Sequence, residues 1–297
     1  MDEAFLRGSY PPLVTPFRDG AVDYDAFARL VEFQIANGSH GVVVCGTTGE
    51  PTALTRIERV ELVRTAVRAA RGRVPVVAAT GTHSHEETVA LTREAERDGA
   101  DALLIVTPYF IRPPQRGLTE YFVDIGRRTR LPMLIYHIPG RAAVGVEIAT
   151  MERIVEALPH VVGMKLAAND LGFASELLAR FGPAFRIFAG LEELSFPMLA
   201  IGAAGMMNAV GNVAPRRVAD LYAAVAVGDL AAARQLHDAL LELNQAVFFD
   251  TNPIPIKYMM KRLALLSTNE HRLPMVPASA ELERRLDAVL TRAGLTK

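Results

Sequence analysis

The sequence predicts a (β/α)8 barrel with additional helices at its C-terminal end. Short apolar runs alternate with longer amphipathic segments, and eight such runs fall between residues 12 and 210. Most of the runs lack strict polar alternation, which is typical of strands covered on both faces. A doubly wound sheet is the alternative architecture. It would require a glycine-rich dinucleotide-binding turn after the first strand, and Thr15-Pro16-Phe17 does not supply one.

The predicted strands are rich in Val, Ile, Leu or Met, and they comprise residues 12–17, 41–46, 75–80, 102–107, 132–138, 161–167, 186–190 and 205–210. Helical segments lie between them, the first over residues 25–37. The segments 55–71 and 84–98 begin with Thr55-Arg56-Ile57-Glu58 and Ser84-His85-Glu86-Glu87, which both match a capping box. These three helices are followed by Gly38, Gly72 and Gly99, at the position where a left-handed residue commonly ends a helix.

The C-terminal part of the chain reads as helical over residues 215–227, 230–248, 255–266 and 278–293. This is more helix than is needed to close a barrel. We therefore expect a barrel over residues 1–225 and a C-terminal helical appendix over residues 226–297. The appendix should pack on the barrel rather than fold as an independent domain.

The chain has 297 residues, half of them hydrophobic, and a formal net charge of −1. Such a chain suits one large domain or two ordinary ones. The near-neutral charge gives no electrostatic footprint for nucleic acid, and no apolar run reaches the ~20 residues of a membrane span. The acidic start Met1-Asp2-Glu3 does not resemble a signal peptide, and the single cysteine, Cys45, can form no internal disulfide. We expect a cytoplasmic protein that binds neither nucleic acid nor membranes.

Lys165 is the most informative residue in the chain. It is one of only four lysines, and it lies within the apolar run of residues 161–168. A lone ammonium group in a buried strand is costly unless it is paired or neutralised. A desolvated lysine with a lowered pKa is a ready Schiff-base nucleophile. The structural alternative is a buried salt bridge, or a side chain that snorkels from the end of the strand.

Polar residues at the ends of two other predicted strands could join Lys165, because reactive groups in such barrels project from the C-terminal strand ends. The turn Gly46-Thr47-Thr48-Gly49-Glu50 could hold a carboxylate or phosphate through its amides and hydroxyls. Tyr136 lies in the fifth strand, next to that of Lys165, and could move protons to and from a forming imine. Arg141 follows that strand, and its guanidinium suits a second carboxylate. The alternatives are a capped turn, a packed tyrosine ring and a surface arginine.

His83 and His85 indicate a different kind of site. A His-x-His pair after the third strand, with Lys165 and His137, would fit a metal-dependent hydrolase. However, His85 falls within a predicted helix cap and no Asp follows the eighth strand, so we expect no metal. His137 should point towards the helices, because successive strand residues face opposite sides. Cys45 is interpreted as a small buried hydrophobic residue.

Together these residues resemble the dihydrodipicolinate synthase / N-acetylneuraminate lyase family of class I aldolases. The resemblance runs over nearly the whole chain. Its landmarks are Pro11-Pro12-Leu13-Val14-Thr15-Pro16-Phe17, the Gly46–Glu50 turn, Thr107-Pro108-Tyr109, Tyr136, Gly163-Met164-Lys165, residues 205–215 and Asn252-Pro253-Ile254-Pro255-Ile256-Lys257.

The resemblance implies a (β/α)8 barrel with C-terminal helices, assembled as a homotetramer that is a dimer of dimers. It implies that Lys165 forms a Schiff base with pyruvate or another 2-oxo acid, with no cofactor. Tyr136 would donate and accept protons, and Thr47 would relay protons to it. Thr48 and the neighbouring amides would hold the pyruvate carboxylate, and Arg141 would bind the carboxylate of aspartate semialdehyde. Further expected substrate contacts are Met207, Gly190 and Tyr109.

The chain departs from the family pattern at several positions. Phe110 stands where the synthases usually have a second tyrosine, which crosses the dimer interface to complete the proton relay, and Phe110 cannot carry a proton. His83 stands where feedback-inhibited members have an Asn that contacts lysine. The remaining departures are His137 for Asn, Leu166 for Glu, Ala142-Ala143 for Thr-Gly and Glu192-Glu193 for paired aspartates.

The expected function is that of a Schiff-base-forming lyase of lysine biosynthesis, which condenses pyruvate with aspartate semialdehyde. The alternative is an aldolase or dehydratase that acts on another 2-oxo acid, since Phe110 replaces the relay tyrosine. A hypothesis of another class is a barrel that binds a 2-oxo acid as a sensor. Such a sensor would show weak turnover, and an activity assay distinguishes it from a slow enzyme.

Overall fold

A closed ring of eight parallel strands forms the centre of the protein, whose computed structural model describes residues 5–296. The ring strands are β1 (Gly8–Ser9), β2 (Val42–Val44), β3 (Val76–Ala79), β4 (Ala102–Val106), β5 (Met133–His137), β6 (Val161–Leu166), β7 (Arg186–Ala189) and β8 (Gly205–Met206). β1 pairs with β8, and the others pair with their neighbours in chain order. The Val43 N–H donates to Pro11 O at 3.0 Å, and the Leu13 N–H donates to Val43 O at 2.9 Å, which closes the ring. The predicted barrel is confirmed.

The first strand lies earlier than predicted. We expected residues 12–17, but β1 is Gly8–Ser9, and only Pro12 of the expected range forms a bridge with β2. A Cβ on Gly205 would lie 2.1 Å from the Gly8 carbonyl oxygen, so β1 and β8 approach each other through glycine. A strand of Gly and Ser has no apolar side chains, and therefore no hydrophobic pattern to reveal it.

Helices cover the outside of the ring. They are α1 (Tyr24–Ala36), α2 (Arg56–Ala70), α3 (His85–Arg97), α4 (Gln115–Gly126), α5 (Pro139–Ala142), α6 (Ile148–Ala157), α7 (Leu171–Phe181), α8 (Ser195–Ala200) and α9 (Pro215–Ala226). The C-terminal helices are α10 (Leu230–Ala246), α11 (Ile254–Arg262) and α12 (Ala280–Arg292). A small hairpin of Phe17–Arg18 and Ala21–Val22 precedes α1 and was not predicted. Within residues 5–296, no helix is long and apolar enough to cross a membrane.

The predicted capping box is complete in α2 and half formed in α3. At the start of α2, the Glu58 N–H donates to Thr55 Oγ1 at 3.3 Å, and the Thr55 N–H donates to Glu58 Oε2 at 2.8 Å. At the start of α3, Ser84 Oγ accepts the Glu87 N–H, but the Ser84 N–H donates to Thr82 Oγ1 rather than to Glu87. The glycines that follow α1, α2 and α3 have φ values of +82°, +69° and +88°. Such values are unfavourable for a residue with a Cβ, which is why glycine occupies these positions.

Alternate strand residues build two layers of core. Val43 faces the inside of the ring, whereas Val42 and Val44 pack against the helices. All three side chains are fully buried, and burying one such side chain stabilises the fold by about 2 kcal/mol. Burial on both faces accounts for the absence of polar alternation along the strands.

The C-terminal helices share the outer core of the barrel. Leu243 of α10, Ile256 of α11 and Leu286 of α12 are fully buried in it. The domain boundary that we predict at residue 225 falls at the end of α9. α11 ends at Arg262 rather than at the predicted residue 266, because the chain turns at Ala264, which has a left-handed φ of +57°. The appendix therefore packs on the barrel and shares one hydrophobic core with it.

Candidate active site

Lys165 lies in β6 and is 5% exposed. It is in register with Tyr136 of β5 and with Phe188 of β7. Its Nζ lies 4.4 Å from the centre of the Tyr136 ring. No ion pair among residues 5–296 includes Lys165. No described residue therefore forms the salt bridge that was the alternative explanation for a buried Lys165. The amine is available as a nucleophile.

Tyr136 and Thr47 lie beside this amine. Tyr136 Oη is 3.4 Å from Thr47 Oγ1, which is long for a hydrogen bond between hydroxyls. Tyr136 is buried, and Thr47 is half-buried in the short 3-10 turn Thr47–Gly49 after β2. The side chains of β5, β6 and the turn after β2 therefore meet at one mouth of the ring. They provide neighbouring hydroxyls through which a proton could reach an atom bound to Lys165.

The turn from Gly46 to Glu50 is held by its own backbone. The Gly49 N–H donates to Gly46 O at 2.8 Å, and the Glu50 N–H donates to Thr47 O at 3.1 Å. Thr48 is buried, and its hydroxyl accepts a hydrogen bond from Asn252 Nδ2 at 2.9 Å. An amide N–H can only donate, so the Thr48 hydroxyl proton stays free to donate to an anion. The turn thus offers a hydroxyl donor to a carboxylate.

A cavity of about 250 Å³ at this mouth brings most of the predicted site residues together. It is lined by Lys165, Tyr136, Thr47, Thr48, Arg141, Gly190 and Met207, along with Glu192 and Asn252. A Cβ on Gly190 would lie 3.0 Å from Lys165 Cε and 3.0 Å from the Leu166 carbonyl oxygen. Glycine at this position therefore leaves room for the lysine stem. Tyr109 lies instead in an adjoining cavity of about 240 Å³, which shares Thr47, Tyr136 and Arg141.

Arg141 lies on the short helix α5 and is exposed. The loop after α5 is fixed by three contacts. The Val146 N–H donates to His137 Nδ1 at 3.2 Å, Thr107 Oγ1 donates to Val144 O at 3.2 Å, and Gln115 Nε2 donates to Gly145 O at 2.8 Å. These contacts anchor the segment that carries Arg141 at the cavity wall, where its guanidinium could bind a carboxylate.

His137 faces the helices, as the strand alternation predicts. Its ring packs against Phe173 of α7, with ring centres 5.0 Å apart. Burial lowers the pKa of His137 to about 4. The neutral ring accepts the Val146 N–H through Nδ1, so Nε2 carries the proton. His137 therefore supports the Arg141 loop and does not enter the cavity.

The sequence analysis did not identify Glu192 and Asn252 as residues of the site. Glu192 was considered only as a replacement for an aspartate, but it is 1% exposed and lines the Lys165 cavity. Its Oε1 accepts the Ala209 N–H at 2.6 Å, and burial raises its pKa to about 7. Its place shortly after β7 is the signal that could have found it, since polar residues at C-terminal strand ends are site candidates. Asn252 reaches Thr48 from the C-terminal appendix, which no local pattern indicates.

The two histidines of the His-x-His motif do not share a site. The ring of His83 packs against Tyr109, with centres 5.2 Å apart, while His85 Nε2 lies 2.7 Å from Asp124 Oδ2 at the surface. Cys45 is buried, and burial raises the pKa of its thiol to about 11, which leaves it protonated and unreactive at neutral pH.

Phe110 lies outside the cavity and is 88% exposed, beside Ile111 at 55%. Its φ of +77° is unfavourable for a residue with a large side chain. Two large apolar side chains thus stand exposed on the loop after β4, adjacent to Tyr109.

Comparison with known proteins identifies the relatives of this chain. The model of the dihydrodipicolinate synthetase family matches residues 5–293. The 4-hydroxy-tetrahydrodipicolinate synthase of Thermus thermophilus is 44% identical over 291 residues, which cover 98% of this chain and 97% of the relative. The corresponding synthase of Phenylobacterium zucineum is 42% identical over 295 residues, which cover 99% of this chain and all of the relative.

Solved structures agree with these matches. The crystal structure of dihydrodipicolinate synthase from Aquifex aeolicus superposes with a TM-score of 0.95 at 38% identity, covering 97% of this chain and 98% of that chain. That of the Thermotoga maritima enzyme superposes with a TM-score of 0.94 at 37% identity, covering 99% of this chain and all of that chain. The chain therefore belongs to the dihydrodipicolinate synthetase family.

Proposed function

We propose that the protein is a lyase that condenses pyruvate with aspartate semialdehyde through a Schiff base on Lys165, as a 4-hydroxy-tetrahydrodipicolinate synthase. The observation that carries the proposal is the buried Lys165 amine, which forms no ion pair with a described carboxylate and lines a cavity that Tyr136 and Thr47 also line. The names of the relatives, which are 4-hydroxy-tetrahydrodipicolinate synthases over the full length of the chain, support the substrates.

The reaction begins when neutral Lys165 Nζ attacks the ketone carbon of pyruvate. Tyr136 donates a proton to the departing hydroxyl, and water leaves as the imine forms. The protonated imine withdraws electrons and acidifies the pyruvate methyl group, so that Tyr136 Oη takes up a methyl proton and an enamine forms. The enamine carbon then attacks the aldehyde carbon, and the new alkoxide takes the proton back from Tyr136. The amino group of the semialdehyde adds to the imine carbon and displaces Lys165, which releases the cyclic product and the free amine. Because the protonated imine is the electron sink, the scheme requires no metal or other cofactor.

The two carboxylates of the substrates have separate binding groups in this scheme. Thr48 and the neighbouring amides of its turn hold the pyruvate carboxylate, because the Thr48 hydroxyl presents a proton to the Lys165 cavity. Arg141 binds the carboxylate of aspartate semialdehyde, since it lines both the Lys165 cavity and the adjoining one. Gly190 and Met207 shape the pyruvate end, and Tyr109 shapes the approach for the aldehyde.

We further propose a homotetramer, a dimer of dimers, acting in the cytoplasm. The exposed pair Phe110 and Ile111 supports an interface at the loop after β4, because adjacent large apolar side chains favour a partner surface. A strained φ at Phe110 is typical of a residue with a functional task. Analytical ultracentrifugation should give a tetramer for the native chain and smaller species for Phe110→Asp. A native monomer would contradict this part of the proposal.

A second candidate function is that of an aldolase or dehydratase for another 2-oxo acid. The observation that favours it is Phe110, which has no hydroxyl where the synthases carry a relay tyrosine. An assay that couples the product of pyruvate and aspartate semialdehyde to its reductase distinguishes the two, with a panel of other aldehydes and 2-oxo acids run in parallel. The synthase proposal predicts the highest kcat/KM for aspartate semialdehyde, and a gain in rate for Phe110→Tyr. A higher kcat/KM for another substrate, with a loss of rate in Phe110→Tyr, would favour the second candidate.

A further inference from the structure

Three side chains that no step of the proposed reaction uses lie buried together beneath the substrate turn. We call Glu50, Lys257 and His271 the Glu50 cluster. Lys257 Nζ donates to Glu50 Oε1 at 2.8 Å, and His271 Nδ1 lies 3.2 Å from Glu50 Oε2. The side chain of Glu50 is 2% exposed and those of Lys257 and His271 are fully buried. All three lie outside the lining of the Lys165 cavity.

The Glu50 cluster joins three segments that are far apart in the chain. Glu50 ends the turn after β2, Lys257 lies in α11, and His271 lies between α11 and α12. The Phe17 ring lies 4.4 Å from Lys257 Nζ and covers it. Burial alone would raise the pKa of Glu50, but its contacts with His271 and Lys257 outweigh burial and lower the pKa. The carboxylate is therefore ionised: Oε1 accepts from Lys257, and Oε2 lies 3.2 Å from His271 Nδ1 without the geometry of a hydrogen bond.

Stability alone is a weak reason for such a cluster. A buried ion pair often contributes no more to stability than well-packed apolar residues of the same volume, whereas it does favour one defined geometry. Glu50 also has φ +53° and ψ +45°, a left-handed conformation that is unfavourable for a residue with a side chain. Such a conformation persists only where surrounding contacts impose it. The buried Glu50 side chain contacts Lys257 and His271, and these contacts can impose the conformation.

The conformation of Glu50 determines where the substrate-binding groups lie. Glu50 is two residues after Thr48, and its N–H closes the 3-10 turn on Thr47 O at 3.1 Å. Two residues further along the turn, Gly49 O accepts from Thr15 Oγ1 at 2.7 Å. The turn is thus held at both Thr47 O and Gly49 O, and a change in the conformation of Glu50 would shift it. The Thr48 hydroxyl would move with the turn.

We propose that Lys257 and His271 are positioning residues which, through Glu50, hold the turn from Gly46 to Glu50 in the geometry that binds the carboxylate of a 2-oxo acid. This inference rests on the proposed function. Neither residue touches the substrate. The C-terminal appendix thereby sets the affinity of a site built on the barrel, and loss of the contacts of Lys257 and His271 with Glu50 would weaken substrate binding before it affected the chemistry of Lys165.

The test is reductive trapping of the imine with borohydride, measured as a function of pyruvate concentration. The variants are Lys257→Met, which keeps an apolar stem and removes the charge, and His271→Leu, which leaves the pair of Glu50 and Lys257 intact. Arg292→Met is the matched control, because it breaks an exposed ion pair within the same appendix, that of Arg292 with Glu242. We expect the half-saturating pyruvate concentration to rise about tenfold in Lys257→Met and about threefold in His271→Leu, with a nearly unchanged maximal rate, because binding rather than chemistry is lost.

The control should keep the native half-saturation. If Lys257→Met fails to fold, the double variant Glu50→Gln/Lys257→Met removes both charges and should still show the raised half-saturating concentration. Folded variants with native half-saturation would overturn the inference, as would an equal change in the control. A native protein that traps no 2-oxo acid at all would instead refute the proposed function, so the two failures are distinguishable.

Discussion

Replacing His137 by Asn should change how the stability of the protein depends on pH. Burial lowers the pKa of His137 to about 4. The pocket beside Phe173 favours the neutral ring, and Nδ1 must be unprotonated to accept the Val146 N–H. In the unfolded chain the ring titrates with a pKa of about 6.5. The contribution of His137 to stability is therefore fully present above pH 6.5, and it is lost as the pH falls from 6.5 towards 4.

The size of this loss follows from the difference between the two pKa values. It amounts to about 3 kcal/mol in full, of which about 2 kcal/mol is already lost at pH 5. Asn can accept the Val146 N–H without titrating. His137→Asn should therefore be less stable than the native protein at pH 7.5, through the lost contact with Phe173, but should lose about 2 kcal/mol less on going to pH 5.

Urea unfolding at pH 7.5 and pH 5 measures this difference directly. His85→Asn is the control, because His85 is exposed and its pairing with Asp124 is screened by solvent. Its pH dependence should stay close to that of the native protein. Equal losses of stability in the native protein and in His137→Asn would refute the role assigned to the buried ring. The oligomeric state must be the same at both pH values, since association itself stabilises the fold.

Three further substitutions test other parts of the account. Arg141→Ala should lower kcat/KM for the aldehyde about 30-fold, because it removes one charge-assisted interaction, while the trapping of pyruvate should stay native. An equal loss in trapping would contradict a role of Arg141 in binding the second substrate. Thr47→Val should lower kcat about 100-fold with little change in the KM for pyruvate, since it removes a proton-relay hydroxyl, and a native kcat would exclude the relay. Gly163→Ala should destabilise the fold by about 3 kcal/mol or more, because its Cβ would lie 2.0 Å from Arg186 O. Gly117→Ala is the control: the nearest atom to its Cβ would be 3.5 Å away, so this substitution should be neutral or stabilising in thermal melts.

The sequence predicts the barrel and the pairing of Lys165 with Tyr136, because both follow from local patterns in the chain. Runs of apolar residues identified seven of the eight strands, and strand order then brought Tyr136 next to Lys165. β1 escaped prediction because Gly8–Ser9 has no side chains that could show a pattern. The glycine contact with Gly205 that makes this strand possible is a property of the folded backbone.

The surroundings of the site could not be predicted in the same way. Asn252 contacts Thr48 across 204 positions of the chain, and Lys257 contacts Glu50 across 207. Such pairings depend on how the C-terminal helices dock on the barrel, which no local spacing encodes. Glu192 was visible in the sequence, but whether its carboxyl is buried against the cavity or solvated is decided only by packing.

The most direct test of the account is borohydride reduction of the native protein with pyruvate, followed by peptide mapping. The account predicts a single reduced pyruvyl adduct on the peptide that contains Lys165, with Lys257 and Lys261 unmodified, and neither adduct nor activity in Lys165→Ala. An adduct on another lysine, or full activity in Lys165→Ala, would contradict the assignment of the buried amine in β6 as the nucleophile.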